Sequence, residues 1–137
     1  MLQMDSLRFW CVSLCTLGCS DPALPTGACE SGVALTVSAT AQPEFRWVPE
    51  CGVGALYVTT EAGNPMWQIN SKPQPDFTPT NDIQSRVVYG TMPTKTQALI
   101  EAVPLEPGQT YRVILFVTDG QGEQTRGDNT TFLAPAE

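Results

Sequence analysis

The nonapeptide Leu-Glu-Pro-Gly-Gln-Thr-Tyr-Arg-Val, residues 105–113, decides the fold of this chain. Its Pro107-Gly108 pair is a strong turn signal, because proline presets one backbone angle and glycine accepts the left-handed conformation. The residues that follow, 110–118, are rich in β-branched and aromatic side chains that alternate between the two faces of an extended chain. The stretch therefore predicts a tight corner that leads into a half-buried β-strand.

Short runs of strand character recur along the chain, separated by turn signals such as Gly-Asn-Pro and Asp-Gly-Gln-Gly. None of them has the sustained spacing of an amphipathic helix. The predicted strands are residues 33–40, 44–48, 55–60, 66–70, 85–89, 97–103, 110–118 and 129–133. Seven or eight short strands within about 105 residues indicate an all-β chain folded as an antiparallel sandwich.

Two clusters of residues point to a family. Residues 105–113 look like the corner between the E and F strands of a fibronectin type III domain, and Trp47-Val48-Pro49 followed by Leu56-Tyr57-Val58 looks like its B strand and the start of its C strand. The resemblance implies an immunoglobulin-like, fibronectin type III-like sandwich with Trp47 and Tyr111 in the core. It also implies that the hydroxyl group of Tyr111 returns to nearby main chain. The chain departs from the usual module at the long Pro-rich connection of residues 70–82.

The start of the chain has the pattern of an export signal. A short apolar run, residues 9–18, follows Arg8 and precedes Cys19. It resembles a bacterial lipoprotein signal peptide, with Thr16-Leu17-Gly18-Cys19 in the position of the lipobox. The run is about half the length of the roughly 20 apolar residues that a transmembrane helix needs. The alternatives are a chain that is secreted without a lipid and a cytosolic chain whose apolar start is accidental.

The resemblance to a lipoprotein divides the chain into three parts. Residues 1–18 are the expected signal peptide, residues 19–31 the lipidated tether that begins with acylated Cys19, and residues 32–137 the fibronectin type III-like domain. Ser20 after the cysteine implies the outer rather than the inner membrane of the cell envelope.

Charge and composition exclude several classes of function. The net charge is −7, which argues against binding to nucleic acid or to anionic lipid, since both need a basic surface. The chain has no histidine, so Ser-His-Asp and Cys-His catalysis are excluded and zinc loses its commonest ligand. No Gly-rich phosphate loop occurs, and we expect neither a metal nor another cofactor.

The cysteines agree with an exported protein. Cys11 and Cys15 leave with the signal peptide and Cys19 is acylated, so that Cys29 and Cys51 remain as a pair. In an oxidising compartment such a pair most often forms a disulfide. Two unpaired thiols, or half of a metal site, are the alternatives.

A partner site is expected on the outer face of the sheet. If the side chains of residues 110–118 alternate, Ile114 and Phe116 point away from the core, and by the same alternation Tyr57 points outward from the neighbouring strand. Such a face of an antiparallel sheet is usually wet and polar, so an apolar patch there indicates a binding surface. The alternatives are that the Pro-rich connection with Phe77 folds back over the patch, or that the three side chains are exposed separately.

The expected function is that of a non-catalytic, membrane-anchored binding or structural module whose partner is an envelope protein or a glycan. The alternative is a carbohydrate-binding module that uses Trp67 and Tyr89 as stacking surfaces. The competing interpretation of Trp67 is that it is a core residue. A third hypothesis, an enzyme, needs two carboxylates in one cleft. The candidates for it are Glu44, Glu50, Glu61 and Asp76.

The predicted connection between the F and G strands contains Arg126-Gly127-Asp128, the tripeptide that one fibronectin module uses to bind integrins. In a chain with a bacterial leader, we interpret it as part of an ordinary charged hairpin loop. Asp119, Glu123 and Asp128 offer oxygen ligands for calcium in the same region, but without the dense alternating spacing of a calcium-binding loop.

Overall fold

The computed structural model describes residues 27–30, 32–76 and 80–136. The predicted signal peptide and Cys19 therefore lie outside the described residues. The described part is all β, as predicted, and contains no helix that is long and apolar enough to cross a membrane. Its strands are β1 (Ala34–Val37), β2 (Glu44–Val48), β3 (Ala55–Thr60), β4 (Pro65–Ser71), β5 (Val87–Val88), β6 (Thr96–Ile100), β7 (Thr110–Thr118) and β8 (Gln124–Leu133).

The strands form two antiparallel sheets. One has three strands in the order β1-β2-β5, and the other has five in the order β6-β4-β3-β7-β8. The chain leaves the larger sheet after β4, pairs with β2 as β5, and returns to the larger sheet as β6 beside β4. Buried residues of both sheets belong to one hydrophobic cluster, so the arrangement is consistent with a β-sandwich.

The predicted strands are all present, and five of the eight have changed ends. β2, β3 and β7 have the predicted bounds. β1 is shorter, because the hydroxyl of Ser38 accepts a hydrogen bond from the N–H of Glu44 and the chain turns there. β5 has only two residues, and β6 ends at Ile100. β8 begins five residues earlier than predicted, at Gln124, because it pairs with β7 directly across the hairpin.

The core is aromatic at its centre. Trp47 and Phe45 of β2 are fully buried, and the ring of Phe45 lies 6.3 Å from that of Trp67, centroid to centroid. The predicted burial of Trp47 and Tyr111 is confirmed. The indole N–H of Trp47 donates to the carbonyl oxygen of Cys51 at 2.9 Å, so the one polar atom of this ring is satisfied.

The corner before β7 has the expected geometry. Gly108 has φ near +80°, a conformation that favours glycine, and the ring of Tyr111 is buried. The hydroxyl oxygen of Tyr111 accepts a hydrogen bond of 2.8 Å from the main-chain N–H of Glu106. The predicted return of this hydroxyl to the main chain is confirmed. The corner follows β6, however, and not β5, which pairs with β2.

The segment 80–85 closes one end of the core between the two sheets. The amide of buried Asn81 donates to the carbonyl of Thr118 at 2.7 Å and accepts from its N–H at 2.8 Å. Ile83 forms an isolated bridge with Val53 and is fully buried. The hydroxyl of Ser85 then accepts from the N–H of Trp47 and donates to its carbonyl. The segment thus contacts the large sheet at one side and the small sheet at the other.

The predicted pairing of Cys29 and Cys51 is confirmed, since the two form a disulfide with Cα atoms 4.9 Å apart. Cys29 is buried and also belongs to the core cluster. Next to it, the N–H of Gly52 donates to the carbonyl of Gly27. The first described residues are therefore held against the start of the large sheet by one covalent link and by main-chain hydrogen bonds.

The prediction that Arg126-Gly127-Asp128 belongs to a hairpin loop is wrong. The tripeptide lies within β8, and the loop is confined to residues 119–123. Phe116 pairs with Arg126 and Ile114 with Asn129, so the register of β8 shifts by one residue at the tripeptide. An irregularity of this kind is common in edge strands, where it discourages pairing with another chain.

Candidate functional site

The predicted partner residues lie together on the outer face of the five-stranded sheet. Tyr57 of β3 pairs directly with Ile114 of β7, and the ring of Tyr57 lies 4.6 Å from that of Phe116, centroid to centroid. All three side chains are half-buried, whereas their neighbours Leu56, Val58, Val113 and Leu115 are buried on the inner face. Burial raises the pKa of the Tyr57 phenol. We call the group of Tyr57, Ile114 and Phe116 the aromatic face.

Polar side chains border the aromatic face on both sides. On β4, the amide of Gln68 donates to the side-chain oxygen of Asn70 at 3.1 Å. On the β7–β8 side, the guanidinium of Arg112 donates to the side-chain oxygen of Asn129 at 2.7 Å. Because paired residues share a face, Gln68 lies beside Tyr57 and Asn129 beside Ile114. An apolar centre with a polar rim is the usual anatomy of a protein interface.

The Pro-rich connection was the proposed cover for the aromatic face. Phe77 lies outside the described residues, so this part of the hypothesis stays a prediction. After it, Thr80 donates to the carbonyl of Lys72, and its hydroxyl is also bonded to that of Ser71 at 2.6 Å. The N–H of Asp82 donates to the same Ser71 hydroxyl. These bonds tie residues 80–82 to the end of β4 rather than across the outer face.

The two aromatic residues of the glycan hypothesis are in the core. Trp67 is 2% exposed and Tyr89 is 7% exposed, with ring centroids 5.1 Å apart. Stacking on a sugar needs an exposed ring face, so the expected platform of Trp67 and Tyr89 is wrong. Trp67 points inward because it alternates with outward Gln68 on β4.

The hydroxyl of Tyr89 is held inside the protein. It donates to the carbonyl oxygen of Val103 at 2.6 Å. Burial and the neighbouring Tyr111 raise the pKa of Tyr89 to about 12. Tyr89 thus links the end of β5 to the segment after β6 and takes no part in an exposed site.

Two of the acidic candidates belong to different sheets. Glu44 lies on β2 in the small sheet, and Glu61 lies in the turn after β3 in the large one. The side chain of Asp119 accepts hydrogen bonds from the N–H groups of Gln121 and Glu123, which shapes the β7–β8 hairpin. Within the residues that the structure describes, no group of three acidic or cysteine side chains could hold a metal ion.

Sequence reasoning missed a polar cleft beside the aromatic face. The cleft has a volume of about 540 Å³ and is formed where β4, β6, the β7–β8 hairpin and the Pro-rich connection meet. Its walls include the amides of Asn70, Gln97 and Gln124 and the hydroxyls of Thr80 and Thr118. These residues are scattered over more than fifty positions of sequence, and no pattern in the chain links them.

The fold and the site define an all-β domain of two antiparallel sheets with an aromatic outer face and an adjoining polar cleft. No protein-family model, curated protein or solved structure matches this chain.

Proposed function

We propose that this chain is a non-catalytic binding module of the bacterial cell envelope, anchored by acylated Cys19 in the outer membrane, with a fibronectin type III-like sandwich as its folded part. Its partner is an envelope protein that docks on the aromatic face. The observation that carries the proposal is the contact of Tyr57, Ile114 and Phe116 on a sheet face that is normally polar.

The rim around the aromatic face gives this surface its specificity. A stable protein interface buries about 800 Å² on each side, more than three half-buried side chains can supply. The partner must therefore also contact the polar pairs Gln68–Asn70 and Arg112–Asn129, which are already held by internal hydrogen bonds. Tyrosine and phenylalanine are enriched in the centres of such interfaces because they bury a large area with few rotatable bonds.

The family assignment is supported by the tyrosine corner and by the pairing of β3 with β7 in a sheet opposite β1 and β2. The anchor is supported by the lipobox-like residues 16–19 and by the disulfide of Cys29 and Cys51, which fits an oxidising compartment. The ten residue steps from Cys19 to Cys29 reach at most about 35 Å, so the domain would work close to the membrane.

The aromatic face is tested by photo-crosslinking in intact cells. A photoreactive residue at position 114 should give a discrete adduct with an envelope protein, and Phe116→Ser should abolish it. Leu133 is 61% exposed and lies outside the aromatic face, so Leu133→Ser is the matched control and should leave the adduct intact. An adduct that survives Phe116→Ser, or a loss of the fold in this variant, would contradict the proposed surface.

The anchor is tested separately. Palmitate should label the wild-type chain and the Cys15→Ser variant, but not Cys19→Ser, which should leave the membrane fraction. Label on Cys19→Ser, or an intact and unlabelled wild-type chain in the cytosol, would refute the anchor.

A further inference from the structure

Hydrogen bonds hold part of the lining of the polar cleft in place. The hydroxyls of Ser71 and Thr80 are fixed by their mutual bond and by bonds to Asp82 and Lys72. The main-chain carbonyl of Thr118 accepts a hydrogen bond from the Asn81 amide, and the N–H of Thr118 donates to the oxygen of the same amide. The volume of about 540 Å³ lies within the range of small-molecule sites in proteins.

The amides of the cleft have unused hydrogen-bonding capacity. Gln97 and Gln124 both line it as exposed side chains, so their amides are open to a ligand. Asn70 uses its side-chain oxygen to accept from Gln68, which leaves its NH₂ group available. Each amide can donate and accept at once, as hydroxyl groups do.

The lining carries no charge, although the chain as a whole has a net charge of −7. An ionic ligand would meet no opposite charge in this lining to offset any hydration that it loses, which is unfavourable. A neutral ligand with many hydroxyl groups would instead exchange hydrogen bonds with water for hydrogen bonds with amides. The shape and the chemistry of the cleft favour such a ligand over an ion or a nucleotide.

We infer that the cleft of Asn70, Gln97 and Gln124 binds a neutral saccharide. The site adjoins the aromatic face and shares Asn70 with its polar rim, but Gln97 and Gln124 lie outside that face, and the inference does not rest on the proposed protein partner. It also differs from the sugar platform expected from sequence, since Trp67 and Tyr89 are buried in the core.

The test is calorimetric titration of the full chain with tetrasaccharides of defined charge. Cellotetraose and maltotetraose are the neutral probes, and tetragalacturonate is the acidic one. A neutral probe should bind at concentrations below about 10 mM, and tetragalacturonate should bind more weakly. The double variant Gln97→Ala/Gln124→Ala should weaken binding about tenfold, because each lost hydrogen bond contributes a modest amount.

Gln109→Ala is the matched control, since Gln109 is an exposed glutamine at the opposite end of β7 and should not affect binding. Equal melting temperatures of the variants would show that the fold is intact. The inference is overturned if neither neutral probe binds, if the acidic probe binds as well, or if the double variant binds normally. Loss of sugar binding in Phe116→Ser, with the double variant unaffected, would place the sugar on the aromatic face and overturn the cleft.

Discussion

The amide of Asn81 gives the sharpest test of how this chain closes its core. Asn81 and Thr118 are 8% and 7% exposed, and the two hydrogen bonds between them replace a strand pair at the end of β7. In Asn81→Ala both bonds are lost, and the N–H and C=O of Thr118 are left without their partner.

The expected cost follows from the two bonds. Removing the partner of a buried hydrogen-bonding group costs about 1 to 3 kcal/mol, and two main-chain groups of Thr118 lose theirs here. Water can reach Thr118 from the polar cleft, so the penalty stays at the lower end. We expect Asn81→Ala to lower the free energy of unfolding by about 2 to 3 kcal/mol. For a domain of this size, the melting temperature should fall by roughly 10 to 20 °C.

Urea unfolding followed by tryptophan fluorescence measures this change, because Trp47 and Trp67 are both buried in the folded state. Asn129→Ala is the matched control. Asn129 also accepts a short side-chain hydrogen bond, from Arg112, but it is exposed, so its loss should cost less than about 0.5 kcal/mol. A cost below about 1 kcal/mol for Asn81→Ala, or equal costs for the two variants, would refute the closing role of Asn81.

Three further predictions concern stability. Tyr111→Phe should cost about 1 kcal/mol, because the N–H of Glu106 loses its acceptor, and an unchanged urea midpoint would contradict this. Cys29→Ser/Cys51→Ser should cost about 3 kcal/mol, since the disulfide closes a loop of 22 residues, and reduction of the wild type should match it. The folded-state pKa of Tyr89, about 12, lies above the value of 10 for a free tyrosine. The contribution of Tyr89 to the free energy of unfolding is therefore fully present below pH 10 and should be lost as the pH rises towards 12. Tyr89→Phe should reduce this loss, as urea midpoints at about pH 9 and 11 would show.

The sequence predicts the fold best where strands alternate between tight turns. β2, β3 and β7 have the predicted bounds because their inward residues repeat with a period of two and their ends are marked by turn residues. The same alternation correctly places Tyr57, Ile114 and Phe116 on one face. Alternation is a local property, so sequence alone can reveal it.

Prediction fails where side chains replace main-chain pairing. Residues 80–85 contain no strand, and yet Asn81 and Ser85 hydrogen-bond to the main chain of Thr118 and Trp47 as a neighbouring strand would. Such bonds have no periodicity. They explain why β5 has only two residues, because the Ser85 hydroxyl already bonds the N–H and the carbonyl of Trp47, the next part of β2. The polar cleft, whose lining includes Thr80 and Thr118, was missed for the same reason.

The segment 80–85, which closes one end of the core, also connects the stability of the fold with the two candidate sites. Gly54 immediately precedes β3, and a Cβ atom there would collide with the hydroxyl of Thr118 and approach the Asn81 side chain. The N–H of Gly54 donates to the carbonyl of Phe116, and its own carbonyl accepts from the N–H of Ser71. One glycine thus brings together the end of the aromatic face, the wall of the cleft and the amide that closes the core. Because these contacts are shared, the geometry of the aromatic face and of the polar cleft depends on how the Pro-rich connection is fixed to the sheet. Only variants that leave Asn81 and Thr118 in place can therefore separate effects on binding from effects on folding.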